Sequence, residues 1–161
     1  MSKTDKRVLV TGGLGFIGSK LSERLTRDYQ VTVVDNLSSA REDFADVMKQ
    51  NKDIEYVVSC FASDEIIDRL HSKEFDVVFH VAAIPRVAYS VAEPFKTTDV
   101  NISKTVKFLK ACADGAVRRI VFSSSSSVYG GAEELPTPIH YPKIRSHLMH
   151  GKKVPLRILP E

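Results

Sequence analysis

Three glycines near the N-terminus have the spacing of a phosphate-binding turn. They follow the apolar run Val8-Leu9-Val10 and open a stretch in which hydrophobic residues recur at helical spacing. In such a turn the first glycine allows a tight bend, the second lets the backbone approach a pyrophosphate at the helix N-terminus, and the third lets helix and strand pack closely. The candidate binding residues of this turn are Gly12, Gly15, Phe16, Ile17 and Gly18.

An acidic residue ends the next predicted strand. Asp35 closes the run Val31–Asp35 and follows Gly18 at roughly the 20-residue spacing of a dinucleotide-binding fingerprint. A carboxylate there accepts hydrogen bonds from the adenosine ribose and would repel the 2′-phosphate of NADP, so NAD is the predicted cofactor. The alternative is a plain turn beside a surface acid, but strand, helix and acid together favour the cofactor site.

The rest of the chain alternates predicted strands with predicted helices. The strands are Val8–Val10, Val31–Asp35, Ile54–Val58, Asp76–Val81 and Arg119–Phe122. The helical stretches run from Phe16 to Asp28, over 41–50, from Ser63 or Asp64 to Leu70, and over 92–113. This alternation predicts an α/β fold, a Rossmann-type doubly wound parallel sheet of about five strands with right-handed βαβ connections.

The composition is that of one ordinary globular domain. The 161 residues include 23 Lys and Arg against 20 Asp and Glu, and 43% are hydrophobic. No apolar run approaches the roughly 18 residues that a membrane span needs, and the N-terminal segment lacks a secretory apolar region, so we expect a cytoplasmic protein without membrane partners. Cys60 and Cys112 are predicted to be reduced, packed thiols.

Residues 139–161 differ in composition from the rest. They hold five Lys or Arg against one Glu, and they include His140, His147 and His150. We therefore expect a partial dinucleotide-binding domain over 1–138 and an atypical basic tail over 139–161. Because no aromatic residues interleave with the cations, nucleic-acid binding is not expected. The histidines lack ordered spacing with Cys or acidic ligands, so no metal site is expected.

Five motifs follow one another along the chain. They are Thr11–Gly18, Val33–Asn36, His80–Ala83, Asp99–Asn101 and Phe122–Gly130. Together they resemble the extended short-chain dehydrogenase/reductase family, and specifically its NAD-dependent sugar-nucleotide epimerase/dehydratase branch. The segment Ala83–Ser90 is similar to the one that follows the fourth strand in nucleotide-sugar 4-epimerases. The resemblance runs from about Arg7 to about Pro138.

The resemblance implies a reaction on a nucleotide sugar. A sugar hydroxyl would be transiently oxidised by NAD, with 4-epimerisation as the expected outcome. Ala82 and Ala83 would lie along the nicotinamide ribose, Asn36 would join Asp35 at the cofactor, and Asn101 would be the family's structural or catalytic-support asparagine.

Two further polar positions take their expected roles from the resemblance. Ser125, four residues before Tyr129, matches the family's substrate-contacting Ser or Thr. The alternative for the serine run is a polar strand end that satisfies its own backbone. His80 is expected to be a packed strand-end residue rather than an acid or base.

The chain departs from the family pattern at two places. Cys60-Phe61 follows the third strand where the family usually carries an adenine-contacting Asp, so weaker adenine affinity is expected. The chain also has no Tyr-x-x-x-Lys pair, the proton-transfer pair of the family. Tyr141 and Arg145 imitate it, but the intervening Pro142 and the Arg in place of Lys argue against equivalence.

One possible set of codons for residues 148–153 offers an origin for this difference. The sequence Leu-Met-His-Gly-Lys-Lys can be encoded so that a shifted frame reads Tyr-Ala-Trp-Glu-Lys, which contains the missing pair. We therefore hypothesise that a frameshift near residues 138–147 replaced the catalytic helix with the basic tail.

Three hypotheses remain for the whole chain. The first is the NAD-binding portion of a nucleotide-sugar epimerase/dehydratase, inactive by itself and without a sugar-binding domain. The second is a non-catalytic NAD-binding or regulatory module that self-associates or pairs with a full-length relative, because the helix over 92–113 would expose an apolar face. The third is a remnant that barely folds, because the fifth strand becomes an uncovered edge.

Overall fold

The computed structural model describes residues 5–39, 46, 51–129, 136–138, 140, 145–146 and 155–156. The chain divides into a compact unit over Met1–Phe122 and a second unit over Ser123–Glu161. The strands of the first unit are β1 Arg7–Thr11, β2 Gln30–Asp35, β3 Ile54–Val58, β4 Val77–His80 and β5 Arg119–Phe122. Its helices are α1 Phe16–Leu25, α2 Asp64–His71, α3 Val87–Ala92, α4 Pro94–Thr98, a π-helical segment Asp99–Lys104 and α5 Thr105–Asp114.

The five strands form one parallel sheet in the order β3-β2-β1-β4-β5. β1 lies at its centre, where Leu9 pairs with Thr32 on one side and Val78 on the other. The chain moves outward from β1 to β2 and β3 and then returns to β4, so the strand order reverses between β1 and β4. The predicted α/β, Rossmann-type sheet is confirmed, and its switch point lies where such sheets bind ligands.

The sheet is buried on both faces, which explains the apolar character of its central strands. Leu9, Val34 and Val78 face α2 and α5 in one cluster. Val8 and Val33 face the other side, where Leu25 of α1 packs against them.

Two helix predictions are wrong in their extent. The first helix ends at Leu25 rather than Asp28, because the N–H groups of Asp28 and Tyr29 both turn back to the Leu25 carbonyl. The predicted continuous helix over 92–113 is instead a succession of α4, the π-helical segment and α5. A π-helical segment widens the turn by one residue, and such segments are frequent at functional sites. Of the predicted helix over 41–50, only Asp46 lies within the described residues, and it is helical.

The segment from α3 to α5 exposes apolar side chains as the sequence predicts. Phe108 and Cys112 of α5 are buried against the sheet, whereas Ile102 and Val106 are 60% and 62% exposed. Val121 and Phe122 of β5, an edge strand within the described part of the sheet, are also exposed. Both cysteines are free thiols.

The second unit is described only in short pieces. A 3-10 turn covers Ser126–Tyr129, and two short strands, β6 Arg145–Ser146 and β7 Pro155–Leu156, pair antiparallel. Across the described parts of both units, every helix is too short or too polar to cross a membrane.

Candidate functional site

The turn after β1 brings the backbone of two strand ends into close contact. Gly12 has a φ of +69°, and its N–H donates to the Val34 carbonyl at 2.8 Å. A Cβ at Gly12 would stand 2.9 Å from the backbone of Ala82, beyond the end of β4. Both the backbone angle and the available space therefore require glycine at this position.

The other two glycines have different surroundings. A Cβ at Gly18 would stand 2.1 Å from the Gly12 carbonyl oxygen, so this glycine lets α1 pack directly on the turn. A Cβ at Gly15 would meet the same oxygen at 3.3 Å, a tight contact that a shift of a few tenths of an ångström would relieve. The protein itself therefore restricts substitution less at Gly15 than at Gly18, which fits the second glycine of a phosphate-binding turn, where a side chain would obstruct the ligand.

The start of α1 can bind an anion. The N-cap residue of α1 is Gly15, which has no side chain that could cap the helix. The first turn of α1 contains no acidic residue. Phe16 and Ile17, its first residues, have exposed side chains. The unpaired N–H groups and the positive end of the helix dipole suit a pyrophosphate.

Asp35 joins this turn to the end of β2. Its side chain is 9% exposed, and Oδ2 accepts the Leu14 N–H at 3.0 Å while Oδ1 accepts the Leu37 N–H at 2.8 Å. A carboxylate has about four acceptor sites, so these bonds leave capacity for ribose hydroxyls. The neighbouring Asn36 accepts from the N–H and hydroxyl of Ser38 and shapes the following loop.

The loop after β4 is held by Thr11 and Asn101. The N–H groups of Val81 and Ala82 both donate to Thr11 Oγ1 at 3.2 Å, and Ala83 follows with an exposed side chain. Asn101, in the π-helical segment, accepts the Ile84 N–H at 2.8 Å and donates to the Ile84 carbonyl at 3.0 Å. The predicted residues Ala82 and Ala83 thus lie on one loop, which Asn101 helps to hold from the π-helical segment.

Sequence reasoning missed Thr11 and Leu14. Thr11 is fully buried, and its hydroxyl holds the loop after β4, while Leu14 contributes only its backbone N–H. A polar residue immediately before the first glycine was the available signal for Thr11. No side-chain pattern could have revealed Leu14, because any residue with an N–H can make that bond.

His80 is a packed residue, as predicted. It is 2% exposed, and the rings of Phe61, Phe108 and Phe122 lie around it with centroid distances of 4.9, 5.1 and 5.4 Å. Burial lowers the pKa of its imidazole from 6.5 to about 4, so the ring is neutral near neutral pH.

Other candidate residues belong to other parts of the chain. Cys60, half-buried, follows β3 on the same edge of the sheet, where the Ser59 N–H donates to the Asp35 carbonyl at 3.0 Å. Ser125 belongs to the second unit, and its carbonyl accepts the Val128 N–H at 3.1 Å. Tyr141 and the Arg145 side chain lie outside the described residues.

A family model for the NAD dependent epimerase/dehydratase family matches residues 8–148, which cover the sheet and this site. The chain belongs to that family. It is 34% identical over 135 residues to a probable UDP-arabinose 4-epimerase 3 of Oryza sativa subsp. japonica, matching 80% of this chain and 33% of the relative. It is 31% identical over 134 residues to a UDP-glucose 4-epimerase sequence of Klebsiella pneumoniae, matching 81% of this chain and 96% of that sequence.

A solved structure shows the same architecture. The UDP-glucose 4-epimerase of Bifidobacterium longum, in complex with NAD⁺ and UDP, superposes with a TM-score of 0.76 at 32% identity. The match covers 88% of this chain and 43% of that enzyme. The present chain therefore spans less than half the length of the Bifidobacterium enzyme and about a third of the length of the rice relative.

Proposed function

We propose that this chain binds NAD at the carboxyl edge of β1, β2 and β4. The bond from the Leu14 N–H to Asp35 supports this most strongly, because it joins the pyrophosphate-binding turn to the acid that would hold the ribose. Gly12 to Gly18 would hold the pyrophosphate, Asp35 and Asn36 the adenosine ribose, and Ala82 and Ala83 the nicotinamide ribose. Bound NAD would accept a hydride from the sugar carbon that bears the hydroxyl, whose proton would pass to a base.

We further propose that the chain is the NAD-binding portion of a nucleotide-sugar 4-epimerase and is inactive alone. The names of the rice, Klebsiella and Bifidobacterium relatives support a UDP-sugar as substrate. Ser125 is the candidate substrate contact. The sequence contains no Tyr-x-x-x-Lys pair, and loss of proton transfer by a positioned side chain lowers a rate by about 10²–10⁴.

The experiment is calorimetric titration of the 161-residue chain with NAD, and then incubation with NAD and UDP-glucose. We expect saturable NAD binding and no UDP-galactose above the buffer blank. Absence of NAD binding would overturn the cofactor proposal. Turnover would overturn only the proposal of inactivity. NADP serves as the matched control ligand, for which we expect weaker binding because Asp35 would repel its 2′-phosphate.

The exposed apolar face supports a second candidate function. Val87, Val91, Phe95, Ile102 and Val106 are all more than half exposed along one continuous stretch of helices. Several large apolar side chains exposed on consecutive helices favour an interaction site. A non-catalytic NAD-binding module that pairs with a full-length relative, or with a second copy, would cover it.

Light scattering after size-exclusion chromatography tests this candidate. We expect the chain to form dimers, or complexes with an added full-length epimerase. Val91→Ser combined with Phe95→Ser should abolish them. The control is Val58→Ser, which alters an exposed apolar residue on β3 instead. A stable monomer that ignores the full-length enzyme would contradict the pairing function.

A further inference from the structure

His80 occupies a position between two hydroxyl groups from different elements. Its Nδ1 lies 2.8 Å from Thr11 Oγ1 at the end of β1, and its Nε2 lies 3.4 Å from Thr105 Oγ1 at the start of α5. Both threonines are buried. The imidazole is therefore the bridge from the centre of the sheet to the helix that covers it.

The hydrogen bonds around Thr11 determine which ring nitrogen carries the proton. Thr11 Oγ1 accepts the Ala82 N–H, and it shares the Val81 N–H with the Thr11 backbone carbonyl, which lies 3.3 Å from the same nitrogen. These bonds use the two acceptor positions of a hydroxyl. Its own proton must then be donated, and His80 Nδ1 is the acceptor at 2.8 Å. Nδ1 is consequently unprotonated, and a neutral ring carries its proton on Nε2.

The other side of the ring completes the same chain of bonds. The Nε2–H donates to Thr105 Oγ1, and the Thr105 hydroxyl donates to the Val100 carbonyl at 3.2 Å in the π-helical segment. That segment also carries Asn101, which holds the Ile84 backbone. The loop after β4 is thus tied to the π-helical segment at Ile84 directly and at Ala82 through Thr11 and His80.

We propose that His80 is a positioning residue for the cofactor site, acting as an Nε2–H imidazole that orients the Thr11 hydroxyl and so holds the Val81–Ala82 backbone against the glycine turn. The placement of Ala82 at the cofactor rests on the proposed NAD-binding function. The series of hydrogen bonds from Ala82 through Thr11, His80 and Thr105 to Val100 involves only groups of this protein. It predicts that an acceptor at the Nδ1 position matters more to the loop than the bulk of the ring does.

The first test measures the tautomer in the full chain without ligand. Long-range ¹H–¹⁵N spectra should show a pyridine-type Nδ1 and a pyrrole-type Nε2 for His80 at neutral pH. The His80 signals are assigned by their absence from the spectrum of a variant that lacks this histidine. An Nδ1–H tautomer or a protonated ring would overturn the proposal. This readout requires no NAD, and the variant serves only to assign the signal.

The second test compares two substitutions that separate bonding from packing. His80→Phe keeps an aromatic ring but removes the acceptor, whereas His80→Asn removes the ring and places Oδ1 close to the Nδ1 position. We expect the Ala82 amide to exchange about tenfold faster in His80→Phe, with His80→Asn close to the unmodified chain and the Val33 amide of β2 unaffected in both. Equal protection in His80→Phe and the unmodified chain would overturn the proposal.

The same variants extend the test to NAD. His80→Phe should weaken NAD binding about tenfold, and His80→Asn should restore most of it. If the unmodified chain fails to bind NAD, the proposed function fails, while the tautomer and the Ala82 exchange still decide whether His80 positions the loop. If NAD binds equally to all three proteins, His80 has no positioning role at the cofactor site.

Discussion

The Leu14 N–H and the Asp35 carboxylate, 21 residues apart in the chain, meet at 3.0 Å. This bond fixes the glycine-rich turn to the end of β2, and a second bond from the Leu37 N–H holds the other carboxylate oxygen. Asp35 is thereby oriented by bonds within the protein itself. The residue proposed to hold the ribose also sets the shape of the turn proposed to hold the pyrophosphate.

Removal of the Asp35 carboxylate should weaken NAD binding strongly. In Asp35→Ala the turn loses its tie to β2 and the ribose loses its acceptor. Since a hydrogen bond to a charged group contributes about 1.5–3 kcal/mol, we expect about a tenfold to hundredfold loss of affinity in calorimetry. The preference for NAD over NADP should shrink as well, because the negative charge is gone.

The matched control is Asp68→Ala, which removes an exposed carboxylate from α2. NAD affinity should be unchanged in this variant. An Asp35→Ala chain that binds NAD as tightly as the control would show that the acid has no part in the cofactor site.

Two glycine substitutions should separate folding from binding. A methyl group at Gly18 would collide with the Gly12 carbonyl, so Gly18→Ala should lower the free energy of unfolding by about 1–3 kcal/mol. Gly15 has a φ of −76° and a looser environment, so Gly15→Ala should fold normally yet obstruct the pyrophosphate. Urea unfolding and NAD titration of both variants check this contrast. A Gly15→Ala chain with undiminished NAD affinity would place the pyrophosphate elsewhere.

Acid should destabilise the chain through His80. Burial lowers the folded-state pKa of His80 from 6.5 to about 4, so the unfolded chain takes up the proton first. The free energy of unfolding should therefore fall by up to about 3 kcal/mol as the pH drops from about 6.5 to about 4. At higher pH the His80 ring is neutral in both the folded and the unfolded chain, so it causes no such loss.

The measurement is urea unfolding of the unmodified chain and of His80→Asn at several pH values. Carboxylate titrations are common to both proteins, so the difference between them isolates His80. Parallel pH profiles for the unmodified chain and His80→Asn would contradict the assignment.

The two cysteines should react at very different rates. Burial raises the pKa of the Cys112 thiol to about 11 and also blocks access, so alkylation there requires unfolding. Cys60 is only half-buried and lies beside the proposed adenosine site. Iodoacetamide labelling followed by mass spectrometry should show Cys60 reacting first, with NAD slowing that reaction. In Asp35→Ala the same NAD concentration should protect Cys60 less, and identical protection would argue against a role of Asp35 in holding the adenosine.

The parts of the site that were predictable depend on local chain geometry. The glycine spacing and the acid that ends β2 were readable because a phosphate-binding turn needs particular residue types at fixed distances. Asn101 was identified only through the family resemblance, and its pairing with the Ile84 backbone could not be foreseen. The π-helical segment that carries it was also missed, because the hydrophobic spacing of residues 92–113 does not distinguish a widened turn from a regular helix.

The alternation of strands and helices, the parallel sheet, the glycine-rich turn and the absence of a Tyr-x-x-x-Lys pair could all be read from the sequence. These follow from periodicity, glycine spacing and residue identity, which are all local properties. The polar groups that satisfy one another between elements became known from the fold alone: Asp35 with Leu14, and His80 with Thr11 and Thr105. Such pairs join residues 21 to 69 positions apart, and their selection depends on strand order and burial, since a buried polar group must find whichever partner the fold places beside it.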